Sequence, residues 1–168
     1  MIAFDPVVPE GCNEAHWQGV VDRSTLDRIG RAITTETGQS GAVALALADD
    51  AFVRNLNARF RRIDRATNVL SFPSSGRLPG AENGPAELQN EPPDTISLGD
   101  VALAAETISS EAGQNNTPLD NHIAHLIVHG TLHLLGHDHM QDSEAEEMEA
   151  LERRILARLG ISDPYASS

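Results

Sequence analysis

The chain predicts an α/β (α+β) fold, a small mixed β-sheet packed with about five helices, and three observations predict it. Segments with apolar residues at helical spacing alternate with short apolar runs of strand length. Breaks rich in Gly, Pro, Asn and Asp separate the two kinds of segment. At 168 residues the chain can bury a core of its own, so residues 1–168 read as a single domain.

The elements follow in order. Ser24 can cap a helix reaching Thr37, because Leu26, Ile29 and Ile33 share one face. Gly38 to Gly41 breaks it. Val43, Leu45 and Leu47 then alternate with alanines, as a strand would. Asp49 or Asp50 can cap the next helix, which runs to about Arg62 with Phe52, Leu56 and Phe60 as its stripe. Thr67 to Phe72 has the character of a short buried strand ended by Pro73. Residues 74–93 are Gly/Pro-rich, polar and acidic without periodicity, which predicts a mobile loop on the domain.

Ile96 to Leu103 holds another strand, and a helix follows to about Glu111 before a turn at 113–116. Thr117 as cap, Pro118 at the first helical position and Asp120 at the third open a helix that should reach Leu135 and stop at Gly136. Ser143 with Glu146 opens the last helix, with Met148, Leu151, Ile155, Leu156 and Leu159 on its apolar side and Gly160 at its end.

Composition narrows the function classes. The longest apolar run, Ala42 to Ala48, is seven residues, far below membrane-spanning length. The N-terminus lacks a basic region followed by an apolar stretch, so no secretory signal is expected. Cys12 is the only cysteine, which excludes an intramolecular disulfide and fits a reducing cytoplasm. A net charge of −13 argues against a polyanionic partner, but its distribution argues otherwise. The twelve basic side chains are all arginine, and Arg54, Arg59, Arg61, Arg62 and Arg65 fall within twelve residues that hold one acid, Asp64. Charges more than about 8 Å apart are largely screened at physiological salt, so a local basic face can bind phosphate on an acidic protein. Arginine's planar fork suits phosphate oxygens.

Four histidines, His122, His125, His129 and His133, lie on the helix opened by Thr117, near the C-terminus. Residues eight apart on a helix are separated by about 12 Å along the axis, too far to share one zinc, so only an adjacent pair can ligate. His129 and His133 are the pair followed by a helix-stopping glycine and further histidines that can fold back. The third ligand is either His137 or His139, and the spacing His-x-x-x-His-x-x-Gly-x-x-His favours His139. Three imidazoles leave zinc's fourth position open, the arrangement of a catalytic site. His122 and His125 are expected to be surface or supporting residues, with His125 as an outer-shell partner. In zinc peptidases the residue after the first histidine is a glutamate base; here it is Gly130, which tilts the reading away from protein substrates.

Residues 129–139, His-Gly-Thr-Leu-His-Leu-Leu-Gly-His-Asp-His, resemble the signature of the bacterial YbeY family of zinc-dependent endoribonucleases. Leu56 to Pro73, Leu98-Gly99-Asp100 and the acidic helix after Asp142 are similar to other blocks of that family. Phe60, Ala66 and His137 depart from its common residues (tyrosine, proline and tyrosine). The resemblance implies one Zn2+ ion, held by His129, His133 and His139, with Arg61 in the catalytic position. It further implies cleavage of single-stranded RNA in the cytoplasm, in maturation of ribosomal RNA at the small-subunit 3′ end and in ribosome quality control. Expected partners are the rRNA precursor, the small subunit and its assembly factors, with no DNA and no membrane. Arg59, Arg62 and Arg65 would position the RNA backbone without reading sequence. The competing classes are a zinc metallopeptidase, supported by the ligand spacing and opposed by Gly130, and a non-catalytic, zinc-stabilised assembly factor.

Overall fold

Backbone pairing at the centre of the sheet is parallel. In the computed structural model, which describes residues 1–74, 96–137 and 141–164, strands β1 (Ile2–Val7), β2 (Gly41–Ala48), β3 (Val69–Pro73) and β4 (Ser97–Ala104) form one sheet in the order β1-β2-β4-β3. β2 pairs parallel with both β1 and β4, while β3 runs antiparallel to β4 at the edge. Helices α1 (Arg23–Thr37), α2 (Asp50–Arg61), α3 (Ala105–Gln114), α4 (Leu119–Leu134) and α5 (Asp142–Arg158) complete the mixed α/β architecture that the sequence predicts. None of these helices is long and apolar enough to cross a membrane.

The alternation in β2 has a packing consequence. Val43, Leu45 and Leu47, with Val101 and Leu103 of β4, enter a large core shared with α1, α4 and α5. Ala46, Ala48, Ala102 and Ala104 point the other way, where they meet Val53 and Leu56 of α2 and Leu70 and Phe72 of β3. Small side chains on that face let α2 lie close to the sheet, which carries the end of α2 to the β3 edge. Cys12 is partly buried against this second cluster, and burial pushes its thiol pKa up, away from the reactive range.

Several boundaries differ from expectation for local reasons. α1 is capped by Asp22, whose side chain accepts from the Thr25 N–H at 2.7 Å, so Ser24 lies inside the helix. Asp49, one of the two predicted caps, starts α2 by accepting from the Phe52 N–H at 2.9 Å. Thr117 does not cap α4; its N–H bonds to Ala112 O at 2.9 Å, tying it to the end of α3, and the helix begins after Pro118. α5 starts at Asp142, one residue before the predicted cap. β1 was not expected at all, because Asp5 and Pro6 interrupt its apolar pattern; an edge position tolerates both. The predicted 74–93 loop lies outside the described residues apart from Ser74, whose N–H bonds to Leu98 O at 3.1 Å.

Leu132 of α4 is fully buried, in the core shared with the sheet and α5. Leu132→Ala is expected to lower stability by about 2–5 kcal/mol, read as a lower denaturation midpoint in urea, through the cavity it leaves.

Candidate metal centre and adjoining cleft

Helix α4 sorts its residues by face. Val128 and Leu132 enter the core, Gly130 meets the sheet, and His125, His129 and His133 form a half-buried stripe. A Cβ at Gly130 would stand 3.0 Å from Val101 Cγ1 and 3.1 Å from Ser71 Oγ, so the helix approaches β3 and β4 through the missing side chain. The Ser71 hydroxyl donates to Gly130 O at 3.0 Å and pins that approach.

His129 and His133 are one turn apart, with ring centroids 4.7 Å apart and their Nε2 atoms separated by 3.1 Å. His125 and His129 are further apart, at 6.2 Å between centroids. The other nitrogen of each closer ring meets an acceptor. His133 Nδ1 lies 3.0 Å from the backbone oxygen of His137. A carbonyl can only accept, so Nδ1 carries the hydrogen and the lone pair of the neutral ring sits on Nε2. His129 Nδ1 lies 2.5 Å from Oε1 of Glu152, a fully buried carboxylate on α5. With its carboxylate ionised, Glu152 would likewise only accept, and the lone pair of His129 would again sit on Nε2. Two nitrogens bound to one zinc at about 2.1 Å lie about 3–3.5 Å apart, so this donor pair fits a shared ion.

Gly136 explains how His137 reaches His133. With φ at +97° it leaves the helix in the left-handed region. The Gly136 N–H bonds to His133 O at 3.1 Å and the His137 N–H to Leu132 O at 3.0 Å, a Schellman ending. That turn folds the His137 backbone over the last histidine of the helix. His139 and Asp138 lie outside the described residues.

A second grouping uses the same helix. His125, His129 and Glu152 bring their ligand atoms within 4.8 Å of one another and could hold a metal ion. Within it, His125 Nε2 lies 3.4 Å from Glu152 Oε2. His122 is engaged elsewhere, its Nε2 lying 3.0 Å from Glu111 Oε1, and Glu111 also accepts from the Asn68 amide at 3.0 Å.

Beside the histidine pair opens a cleft of about 680 Å³, bordered by Arg61, Asn68, Ser71, His129, His133 and His137 among others. Arg61, the last residue of α2, donates from Nη2 to Ser71 O at 2.7 Å, and its guanidinium carbon lies 5.6 Å from the centre of the Phe72 ring. Although much of Arg61 is exposed, its guanidinium is desolvated enough to lower its pKa from the ordinary arginine value. Ser71 therefore links Arg61, through its carbonyl, to α4, through its hydroxyl.

The other arginines of the cluster are exposed and do not border this cleft. Arg59 lies 5.0 Å over Phe60, Arg62 ends α2 in the left-handed region at φ +58°, and the Arg65 carbonyl accepts from Asn57 Nδ2 at 2.9 Å. Arg54 pairs with Asp64 at 2.8 Å, which raises the arginine pKa and holds the Asp64 carboxyl below its ordinary value.

Sequence reasoning missed Glu152, although a signal existed: it is a carboxylate set inside the apolar stripe of α5, between Met148, Leu151 and Ile155. The role of Ser71 left no signal, because it depends on which strand edge meets α4.

Comparison with known proteins adds a family. The YbeY family model, described as Endoribonuclease YbeY, matches residues 13–160. An Endoribonuclease YbeY of Nitrobacter winogradskyi is 48% identical over 153 residues, covering 91% of this chain and 75% of that protein. The Methylocella silvestris protein of the same name is 41% identical over 167 residues, covering 95% of this chain and 86% of its own. A solution structure of a Thermotoga maritima protein aligns with 99% of this chain and 100% of that one, at a TM-score of 0.52 and 20% identity, a likeness of fold.

The contacts at Gly130 yield a testable consequence. Gly130→Ala should cost about 1–3 kcal/mol by overpacking against Val101 and Ser71, measured by urea denaturation. Gly130→Glu should be more destabilising still and should not produce casein cleavage, because a side chain there meets the sheet.

Proposed function

The chain belongs to the YbeY family, and we propose from that premise that it is a zinc-dependent, single-strand-specific endoribonuclease acting as one domain in the cytoplasm. Its substrate in this reading is precursor ribosomal RNA, cleaved at the small-subunit 3′ end and in ribosome quality control, with the small subunit and its assembly factors as partners and neither DNA nor membrane. The carrying observation is one cleft bordered by both Arg61 and the converging Nε2 atoms of His129 and His133.

In this proposal His129, His133 and His139 hold the ion. Zinc supplies a Lewis acid and a water of lowered pKa. The protein's own share is electrostatic and positional. Arg61, anchored by the Ser71 carbonyl, presents a fixed cation to the phosphodiester and neutralises charge that develops on its non-bridging oxygens. Its partial desolvation strengthens that interaction relative to water. Arg59, Arg62 and Arg65, exposed beside the cleft-lining Arg61, track the RNA backbone. The packing at Gly130 disfavours the peptidase alternative, since even a Cβ there would crowd Val101 and Ser71.

Cleavage of a ribosomal RNA precursor by wild type, His133→Ala and Arg61→Ala, with metal content measured on each preparation, tests the reading. His133→Ala should lose both metal and cleavage. Arg61→Ala should keep its metal and lose about 100–1,000-fold in rate, the usual cost of one transition-state donor. Full activity in metal-replete Arg61→Ala removes that residue from the mechanism, and casein cleavage with intact RNA favours the peptidase. Replacing Arg59, Arg62 and Arg65 together by alanine should weaken single-stranded RNA binding. It should also flatten the log–log salt slope by about 0.7 per lost phosphate contact, measured by fluorescence anisotropy.

A further inference from the structure

We infer that Glu152 is a positioning residue for His129: it holds the ring in the tautomer that can bind a metal through Nε2, and His125 steadies the carboxylate from its other oxygen. The inference deepens the reading above and rests on it. Glu152 is fully buried among apolar residues of α5, where an ionised carboxylate is costly unless hydrogen-bonded. Its two oxygens face two histidines of α4: Oε1 lies 2.5 Å from His129 Nδ1 and Oε2 lies 3.4 Å from His125 Nε2. A neutral imidazole has a single N–H. Once that hydrogen is given to Glu152 from Nδ1, the lone pair is on Nε2, facing His133.

His133 reaches the same tautomer by a different acceptor, the His137 carbonyl. The paired rings are thus oriented by two separate structural elements, the helix-ending turn for one and α5 for the other. The charge on Glu152 adds what a carbonyl cannot, since a carboxylate behind a ligand imidazole raises its basicity toward a metal.

His125, His129 and Glu152 could instead hold the ion among themselves. The geometry favours a shared hydrogen. Ligands bound to zinc at about 2.0–2.1 Å are held roughly 3 Å or more apart. His129 Nδ1 and Glu152 Oε1 are closer, at 2.5 Å.

The test begins with the metal-free wild-type protein and needs no variant. Long-range proton–nitrogen spectra should show the neutral His129 ring carrying its single hydrogen at Nδ1. Protonation at Nε2 overturns the inference. Glu152→Gln, whose amide oxygen can still accept from Nδ1 but carries no charge, should bind zinc about 10–100-fold more weakly in competition with a chromophoric chelator, with its far-ultraviolet circular dichroism retained. His125→Ala should show a smaller loss in the same direction. Unchanged zinc affinity in Glu152→Gln, alongside zinc loss in His133→Ala, overturns the positioning role alone. Zinc retained in His133→Ala overturns the ligand reading itself, and abolished binding in both Glu152→Gln and His125→Ala would then make the trio the metal cage.

Discussion

The approach of α4 to the sheet at Gly130 is the constraint on which the rest of the site depends. A helix can press only one face against a sheet. With Gly130 against Val101 and Ser71, and Leu132 in the core, the histidine stripe must face the β3 edge on one side and α5 on the other. A Cβ at position 130 would crowd the Val101 and Ser71 side chains, which would have to give by a few tenths of an ångström. Ser71 makes this contact do two things, since the strand that pins α4 through its hydroxyl also anchors Arg61 through its carbonyl. The cation and the histidine pair are therefore registered by one residue of an edge strand.

The second determinant is hydrogen-bond acceptance. Two imidazoles one turn apart converge on a cation only if their lone pairs point the same way, and helical spacing alone does not settle the tautomer. Here the His137 carbonyl and the Glu152 carboxylate each face an Nδ1. The first acceptor is placed by the left-handed turn at Gly136, the second by the packing of α5 across α4. Orientation thus comes from backbone geometry on one side and core packing on the other.

Electrostatics divides the arginine cluster in a way that its spacing conceals. Arg54 is tied to Asp64, Arg61 is drawn into the cleft wall, and Arg59, Arg62 and Arg65 remain exposed. On a chain of net charge −13, such a local concentration leaves a basic face beside the cleft, because charges more than about 8 Å away are largely screened.

By itself the sequence determined the α/β class, the alternating faces of β2, a cap for α2 at Asp49 or Asp50, the one-turn spacing of His129 and His133, and the glycine that ends their helix. These are local properties, written in period, propensity and spacing. β1 escaped it, because a short edge strand carrying Asp5 and Pro6 takes its identity from pairing with β2. Gly130 was legible only as the absence of a base; the fold makes it a contact, through the few ångströms between α4 and the sheet. The partnership of Glu152 with His129, between residues 23 positions apart, belonged wholly to tertiary structure. A buried carboxylate acquires its meaning from the helix that packs over it, and no local pattern encodes which helix that will be.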